Sequence, residues 1–265
     1  RLAGARFAVV SIGAGPVTHP LSRVFIRKAA LLAAHRSYRD QVSYDFMRSL
    51  GVSGRRDGVS ADIAFALPVA DDVLTNSADQ RIGLGVMNSR GWRKNAQDGA
   101  AIYQTYLNKM GILVDGLLDQ GRQVRLLIGD QGDLAAVKDL QSRLRHRDKG
   151  NVTFEPPASL QELMQQIALT DIVVASRYHN IVCALAMTRP AISIGYARKN
   201  DALLNDTGLG AYCHHIETFN PEHLLGQIDQ IFARRAELAT IVERGVNIYR
   251  GRLREQEEVL RSLML

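Results

Sequence analysis

The chain alternates between short apolar runs rich in β-branched residues and longer stretches in which apolar residues recur at helical spacing. Glycine or proline bounds most of the short runs, as is usual for strands. This alternation is typical of βαβ units, in which each strand is followed by a helix that covers a parallel sheet. The pattern therefore predicts an α/β protein with parallel sheets.

The first cycle begins close to the start of the chain. Residues 7–12 are predicted to form a buried strand, and residues 13–16 a tight loop. Ser22 is predicted to cap a helix that runs to about residue 35. Asp40 is predicted to cap a second helix that ends at Gly51, since glycine commonly follows the last turn of a helix.

A polar stretch after Pro68 separates this part from a second series of cycles, so we expect two Rossmann-like domains, residues 1–77 and 78–265. The second domain is predicted to have strands at 82–87, 124–128, 152–154, 172–175 and 191–194, with helices between them. A helix is also expected to begin at Pro221 behind Asn220, and the terminal helices are expected to pack back onto the first domain. Because about 75 residues are few for a Rossmann-like sheet, the first domain is expected to be incomplete in this sequence.

The balance of charged residues indicates which classes of ligand the protein can bind. The chain has 33 Lys and Arg against 27 Asp and Glu, a formal charge of +6, which favours anionic ligands. The basic residues are scattered rather than massed, so nucleic acid is not expected as a partner.

The cysteines and the apolar runs bear on the compartment. Cys183 and Cys213 match no metal or redox spacing, which fits a reducing compartment such as the cytoplasm. No apolar run approaches the roughly 18 residues of a membrane span, so any membrane contact is expected to be peripheral.

The segment from Asp171 to Ile194 carries the strongest candidate site. It places Ser176, Arg177, Tyr178 and His179 at the carboxyl end of a predicted strand, where the next helix begins. Open α/β sheets bind ligands at that edge, and the N–H groups of a helix start attract anions. Arg177 adds a planar fork for carboxylate or phosphate, and His179 adds a group that titrates near neutral pH. The alternative is that each is structural, an Arg paired with a nearby Asp or a His satisfied in the core.

Several other residues are site candidates. Gly13 and Gly15 let a substrate approach the backbone, although a plain tight turn explains them equally well; Thr18 and Pro16 depart from the dinucleotide-binding pattern, which excludes NAD.

Charged residues and histidines offer further candidates. For Arg39, Asp40 and Asp62, a cap and an ion pair are favoured over a role in the cleft. Asp130 and Asp133 follow a strand, and a helix cap is favoured over a metal site. His214 and His215 are adjacent, so on a strand they would point to opposite faces and could not readily bind one metal together. No metal site is expected.

Five short elements resemble the polysaccharide pyruvyl transferase family. The segment around Arg177 is similar to the family's Arg-x-His element, and residues 195–199 (Gly-Tyr-Ala-Arg-Lys) resemble its next strand end. Residues 11–16, 38–43 and 61–65 resemble its glycine loop, its Arg-Asp-x-x-Ser element and its Ala-Asp-x-Ala-Phe stretch. The resemblance runs in order from about Phe7 to Leu209.

The resemblance implies a fold like that of GT-B glycosyltransferases and a pyruvyl transfer without a cofactor. Phosphoenolpyruvate would be the donor, and a glycan or lipid-linked saccharide the acceptor. Arg177, Tyr178 and His179 match the donor-binding triplet, and Arg177 and His179 are assigned catalytic roles. The resemblance also assigns Arg90 (or Arg93 in its place) and Lys199 to the donor's anions. The family's amino-terminal Gly-rich segment is absent from this sequence.

Two other functions remain open. The first is a nucleotide-sugar glycosyltransferase of the same general fold, which usually has an acidic residue on the helix after the site; residues 180–190 contain none. The second is a non-catalytic subunit that binds phosphoenolpyruvate without turnover.

Overall fold

The computed structural model describes residues 5–54, 57–68, 80–88, 96–145 and 150–264. It divides into two compact units. The first comprises Arg1–Leu67 together with Gly245–Leu265, and the second comprises Pro68–Arg244. The segment 245–265, which was expected to belong to the second domain, is thus grouped with the first unit.

The first unit contains a three-stranded parallel sheet with the strands in sequence order. Its strands are β1 (Ala8–Ile12), β2 (His35–Tyr38) and β3 (Asp57–Val59), and its helices are α1 (Pro20–Leu32) and α2 (Gln41–Ser49). Tyr38 and Met47 lie in its core. The final helix, α9 (Arg235–Met264), also contributes to this unit: the Tyr249 ring lies 4.9 Å from that of Phe65.

Two details of the first unit differ from the prediction. Ser22 lies inside α1 rather than at its cap, because Pro20, with its fixed φ, already occupies the first turn behind His19. That helix ends at Leu32, about three residues before its predicted end, and β2 follows in a segment for which no strand was predicted. Strand β2 has no apolar run to reveal it. It contains Arg36, which pairs with Asp57 of β3 at 2.8 Å.

The second unit is a six-stranded, all-parallel sheet in the order β6-β5-β4-β7-β8-β9. The strands are β4 (Arg81–Gly85), β5 (Gln123–Leu127), β6 (Val152–Phe154), β7 (Ile172–Ala175), β8 (Ala191–Gly195) and β9 (Cys213–His215). The strand order reverses between β4 and β7, which makes the carboxyl ends of these two strands the topological switch point.

Among the described residues, the helices beside this sheet are α3 (Ala96–Asp119), α4 (Leu134–Gln141), α5 (Leu160–Ala168), α6 (Tyr178–Ala186), α7 (Arg198–Asp206) and α8 (Pro221–Ala233). The predicted start of α8 is confirmed, since the Asn220 side chain accepts a hydrogen bond from the backbone N–H of His223. Helix α3 buries one apolar face: Tyr106, Met110 and Leu113 are inaccessible to solvent. These contacts and the parallel strands confirm the α/β class. Within the described residues, no helix has the length and apolar character of a membrane span.

Asp171 joins the amino-terminal ends of this unit's elements. Its carboxylate is 1% exposed, accepts a hydrogen bond from the backbone N–H of Arg81 at 2.9 Å, and pairs with the guanidinium of Arg235. Burial lowers the pKa of Arg189, and the negative charge of Asp171 acts in the opposite direction. Loss of this carboxylate would leave charged and polar groups without a partner in a buried setting.

We expect Asp171→Ala to lower the free energy of unfolding by about 3 kcal/mol, the low end for breaking a buried ion pair because Arg235 is partly exposed. The matched control is Asp119→Ala, which removes an ion pair with Arg145 in which both side chains are more than half exposed. That change should cost less than about 1 kcal/mol. Urea unfolding followed by circular dichroism measures both values, and equal losses would contradict the role of Asp171.

Candidate functional site

The candidate site lies where β7 passes into α6. Strand β7 ends at Ala175, Ser176 forms the turn, and Arg177 stands at the helix N-cap in an extended conformation. The Arg177 side chain makes no capping bond to the helix. The turn lies at the carboxyl edge of the sheet beside the switch point, so the first-turn N–H groups of α6 point toward the place where such sheets bind anions.

A buried carboxylate holds Arg177. The Nε and Nη2 atoms of Arg177 donate to the two carboxylate oxygens of Asp133 at 2.8 and 2.6 Å, a bidentate pair. Asp133 is inaccessible to solvent, whereas the Arg177 side chain is 28% exposed. The hydrogen bonds that Arg177 donates to Asp133 raise the pKa of Arg177, so the guanidinium stays charged. The pair occupies one edge of the guanidinium, and no described residue accepts a hydrogen bond from Nη1.

Asp133 does not cap α4, contrary to expectation. It occupies the N-cap position, but its side chain makes no bond to that helix. Its Oδ1 atom instead accepts from the backbone N–H of Asn88, after β4, at 2.8 Å, in addition to Arg177. Asp130 does act as a cap: it accepts from the N–H of Gly132 at 2.7 Å. Asp133 thus joins the segments that follow β4, β5 and β7.

Ser176 has a protein partner for its hydroxyl. The residue is 1% exposed, and its Oγ lies 3.0 Å from the Oη of Tyr106 on α3. Its carbonyl oxygen accepts a hydrogen bond from the Nδ2 of Asn200 on α7 at 3.2 Å. Burial raises the pKa of Tyr106 to about 12, so the phenol stays protonated and able to donate. Ser176 therefore fixes the turn through its hydroxyl and its carbonyl, and its predicted role in substrate binding stays a prediction.

Three other predicted residues gather at the first turn of α6. Lys199, from the start of α7, places its Nζ 5.3 Å from the centre of the buried Tyr178 ring. The imidazole of His179 makes an edge contact with the same ring, at 5.7 Å between ring centres, and His179 is exposed. The structure thus brings Arg177, Tyr178, His179 and Lys199 to one helix start.

Gly13 and Gly15 belong to the first unit, where protein side chains occupy the space above them. A Cβ atom on Gly13 would lie 2.5 Å from the Cζ of Arg39, and one on Gly15 would lie 2.6 Å from the ring of Phe46. Gly15 also has a φ of +88°, a conformation that favours glycine. Packing within the protein therefore accounts for both glycines.

The neighbouring charged residues of the first unit behave as predicted. Asp40 caps α2 by accepting from the N–H of Ser43, and Asp62 accepts from the N–H of Ala64. Arg39 pairs with Asp40 at 3.3 Å and with Asp62 at 3.1 Å.

The described part of the chain holds no group of three or more His, Cys, Asp or Glu residues suited to a metal. His214 and His215, both on β9, have separate partners: the Nε2 of His214 lies 2.6 Å from the Oε1 of Gln227, and the Nδ1 of His215 accepts from the N–H of Glu217. Arg90 and its alternative Arg93 lie outside the described residues, so their predicted role stays a prediction.

Sequence reasoning missed the partnership of Asp133 with Arg177. A signal was present, since Asp133 follows β5 at the same edge of the sheet as Arg177. The contact could be predicted only from the strand order, in which β5 and β7 lie on either side of β4, and the sequence pattern does not give that order.

Comparison with solved structures shows the fold. Similar chains include the UDP-GlcNAc 2-epimerase of Neisseria meningitidis bound to UDP-GlcNAc (11% identity, TM-score 0.60, 97% of this chain and 70% of that one). A putative UDP-N-acetylglucosamine 2-epimerase of Listeria monocytogenes is 12% identical, with a TM-score of 0.56 over 83% of this chain and 56% of that one. Anabaena HepE in complex with UDP and glucose is 14% identical, with a TM-score of 0.54 over 99% of this chain and 72% of that one. These likenesses confirm a GT-B-like fold of Rossmann-like units, in a chain that spans between about half and three quarters of each neighbour's length.

Comparison with protein families identifies the chain more closely. No curated protein matches the sequence significantly. The family model for polysaccharide pyruvyl transferase matches residues 1–198, most of the 265-residue chain. The chain therefore belongs to the polysaccharide pyruvyl transferase family.

Proposed function

We propose that this protein transfers the enolpyruvyl group of phosphoenolpyruvate to a sugar and forms a pyruvate ketal. The observation that carries the proposal is the Arg177 fork, locked by buried Asp133 at the uncapped start of α6. The acceptor would be a polysaccharide or its lipid-linked precursor, in keeping with the family's name. With a lipid-linked acceptor, the protein would bind peripherally to the cytoplasmic surface of a membrane. Its formal charge of +6 favours contact with anionic lipids there.

The donor carries one carboxylate and one phosphate, which need two or three positive groups. Arg177 supplies the first through the guanidinium edge that Asp133 leaves open. Lys199, beside Tyr178, supplies the second, and the positive end of α6 adds its N–H groups. Asp133 neutralises much of the charge of Arg177, so we assign Arg177 mainly to orientation and Lys199 mainly to charge.

The chemistry requires an acid at the methylene carbon of the donor. Protonation of this carbon makes a methyl group and leaves a cationic centre at the carbon that bears the phosphate. One sugar hydroxyl attacks this centre and loses its proton. A second hydroxyl then attacks the same carbon, the bond between this carbon and the phosphate oxygen breaks, and the phosphate departs with the proton of the second hydroxyl as the ketal closes. We assign the proton transfer to His179, which is exposed on the first turn of α6.

The direct test of the function is incubation of the protein, in its full natural length, with phosphoenolpyruvate and glycan-lipid acceptors. We expect release of inorganic phosphate together with a mass gain of the acceptor. Phosphoenolpyruvate binding without either product would favour the non-catalytic subunit. Consumption of a UDP-sugar instead would favour the glycosyltransferase, the alternative in line with the UDP-bound neighbours.

Arg177→Ala should weaken the binding of phosphoenolpyruvate about tenfold to a hundredfold, because it removes charge-assisted hydrogen bonds to the donor. Arg177→Lys should restore little affinity, since lysine cannot keep the bidentate pair with Asp133 while it presents a second edge. Calorimetry measures both affinities. Affinity equal to that of the wild type in Arg177→Ala would contradict the donor site.

His179→Gln should lower turnover by about 10² to 10⁴ and affect donor affinity less, because glutamine keeps a polar group but cannot supply a proton. The matched control is His223→Gln, which changes an exposed histidine on the first turn of α8. A phosphate-release assay at saturating donor gives turnover. If donor affinity falls while turnover is retained, His179 is a phosphate ligand and not the acid.

A further inference from the structure

The first turn of α6 contains a buried amide that the described protein leaves unsatisfied. Asn180, the third residue of the helix, is inaccessible to solvent. Neither its Oδ1 nor its Nδ2 atom has a hydrogen-bond partner among the described residues. Such a group costs about 1 to 3 kcal/mol, so a fold that retains it needs a reason.

The amide is directed to the switch point. A Cβ atom on Gly85, at the end of β4, would lie 2.4 Å from the Nδ2 of Asn180. One on Gly129, just after β5, would lie 2.7 Å from its Oδ1 and 3.0 Å from the Cβ of Arg177. The absence of side chains at both glycines makes room for the amide. Asn180 therefore lies between the carboxyl ends of two strands and next to the Arg177 fork.

Helix α7 offers an internal comparison. Asn200 is also the third residue of its helix and also follows a strand of the same sheet, and it is 2% exposed. Its Nδ2 donates to the Ser176 carbonyl at 3.2 Å and to the Ser193 hydroxyl at 3.1 Å. The protein thus satisfies the amide at this position in α7. The same arrangement in α6 leaves the amide unsatisfied.

We propose that Asn180 is a further donor-binding residue whose amide gains its hydrogen-bond partner when an anion is seated at the start of α6. The Nδ2 group can donate to a phosphate or carboxylate oxygen and adds no charge to the pair of Arg177 and Asp133. The amide is inaccessible to solvent in the ligand-free protein, so its side chain has to turn toward the start of the helix for this bond to form. The inference rests on the donor site proposed above and deepens it.

The physical consequence separates binding from stability. A structural asparagine loses hydrogen bonds when it is replaced, so the ligand-free protein becomes less stable. An unsatisfied one loses none, and its removal relieves the cost of burying a polar group. The ligand-bound state shows the opposite balance, because only the wild type gains the new bond.

The experiment compares Asn180→Ala with Asn200→Ala, the same chemical change at the same helix position. In the ligand-free protein, Asn200→Ala should lower the midpoint temperature of thermal unfolding by about 2 to 4 °C. A shift of this size corresponds to a loss of about 1 kcal/mol in a chain of this length. Asn180→Ala should unfold within about 1 °C of the wild type. Its affinity for phosphoenolpyruvate, measured by calorimetry, should be lower by about tenfold.

A second variant, Asn180→Leu, keeps the branched shape without polar atoms. If Asn180→Ala does not fold, the thermal stability and the phosphoenolpyruvate affinity of Asn180→Leu are measured instead. Loss of thermal stability equal to that of Asn200→Ala overturns the proposal, as does a wild-type affinity for the anion. Inorganic phosphate and UDP are titrated in parallel. If the wild type binds one of these but not phosphoenolpyruvate, the proposed donor is wrong and Asn180 is judged with the anion that binds. If it binds none of the three, the anion site and this inference both fail.

Discussion

The arrangement of the candidate donor site depends on the buried carboxylate of Asp133. A carboxylate without access to water must be paired, because an unpaired buried charge costs several kcal/mol. Asp133 meets this demand with Arg177 and with the backbone N–H of Asn88. Three segments, after β4, β5 and β7, are thereby fixed relative to one another. The orientation of the Arg177 fork follows from this requirement, before any ligand is present.

The rest of the site is fixed in the same way, by buried polar groups that find partners on neighbouring elements. Tyr106 of α3 holds the hydroxyl of Ser176, and Asn200 of α7 holds its carbonyl. These bonds define where α6 begins and hence where His179 emerges into solvent. Asn180 differs from these residues, because neither polar atom of its amide has a partner among the described residues, and a ligand would explain this difference. Such a site would be rigid where it orients a ligand, and the Asn180 amide would gain its partner from that ligand.

The two units differ in how their charged residues are used. In the first unit, Arg39 satisfies two carboxylates and covers Gly13, so the glycine loop serves packing. In the second unit, Arg177 pairs with one carboxylate and keeps one edge open. The sequence offers a glycine loop in one unit as a weaker candidate for substrate contact and an Arg-x-His element in the other as the stronger one. The geometry favours only the second.

The sequence alone determined what depends on neighbours along the chain. Alternating apolar runs predicted the α/β class and most strands of the second unit, and Asp40 and Asn220 predicted helix starts, because capping is a local interaction. It also placed Arg177 and His179 at a strand's carboxyl end. The tertiary structure decided which groups meet: Asp133 and Arg177 are 44 residues apart, and their contact depends on the order of strands in the sheet. The same holds for β2, whose polar sequence forms a strand between β1 and β3, and for Asn180, whose lack of a partner among the described residues only packing reveals. Periodicity records which face of an element is buried, but it does not record what that face will touch.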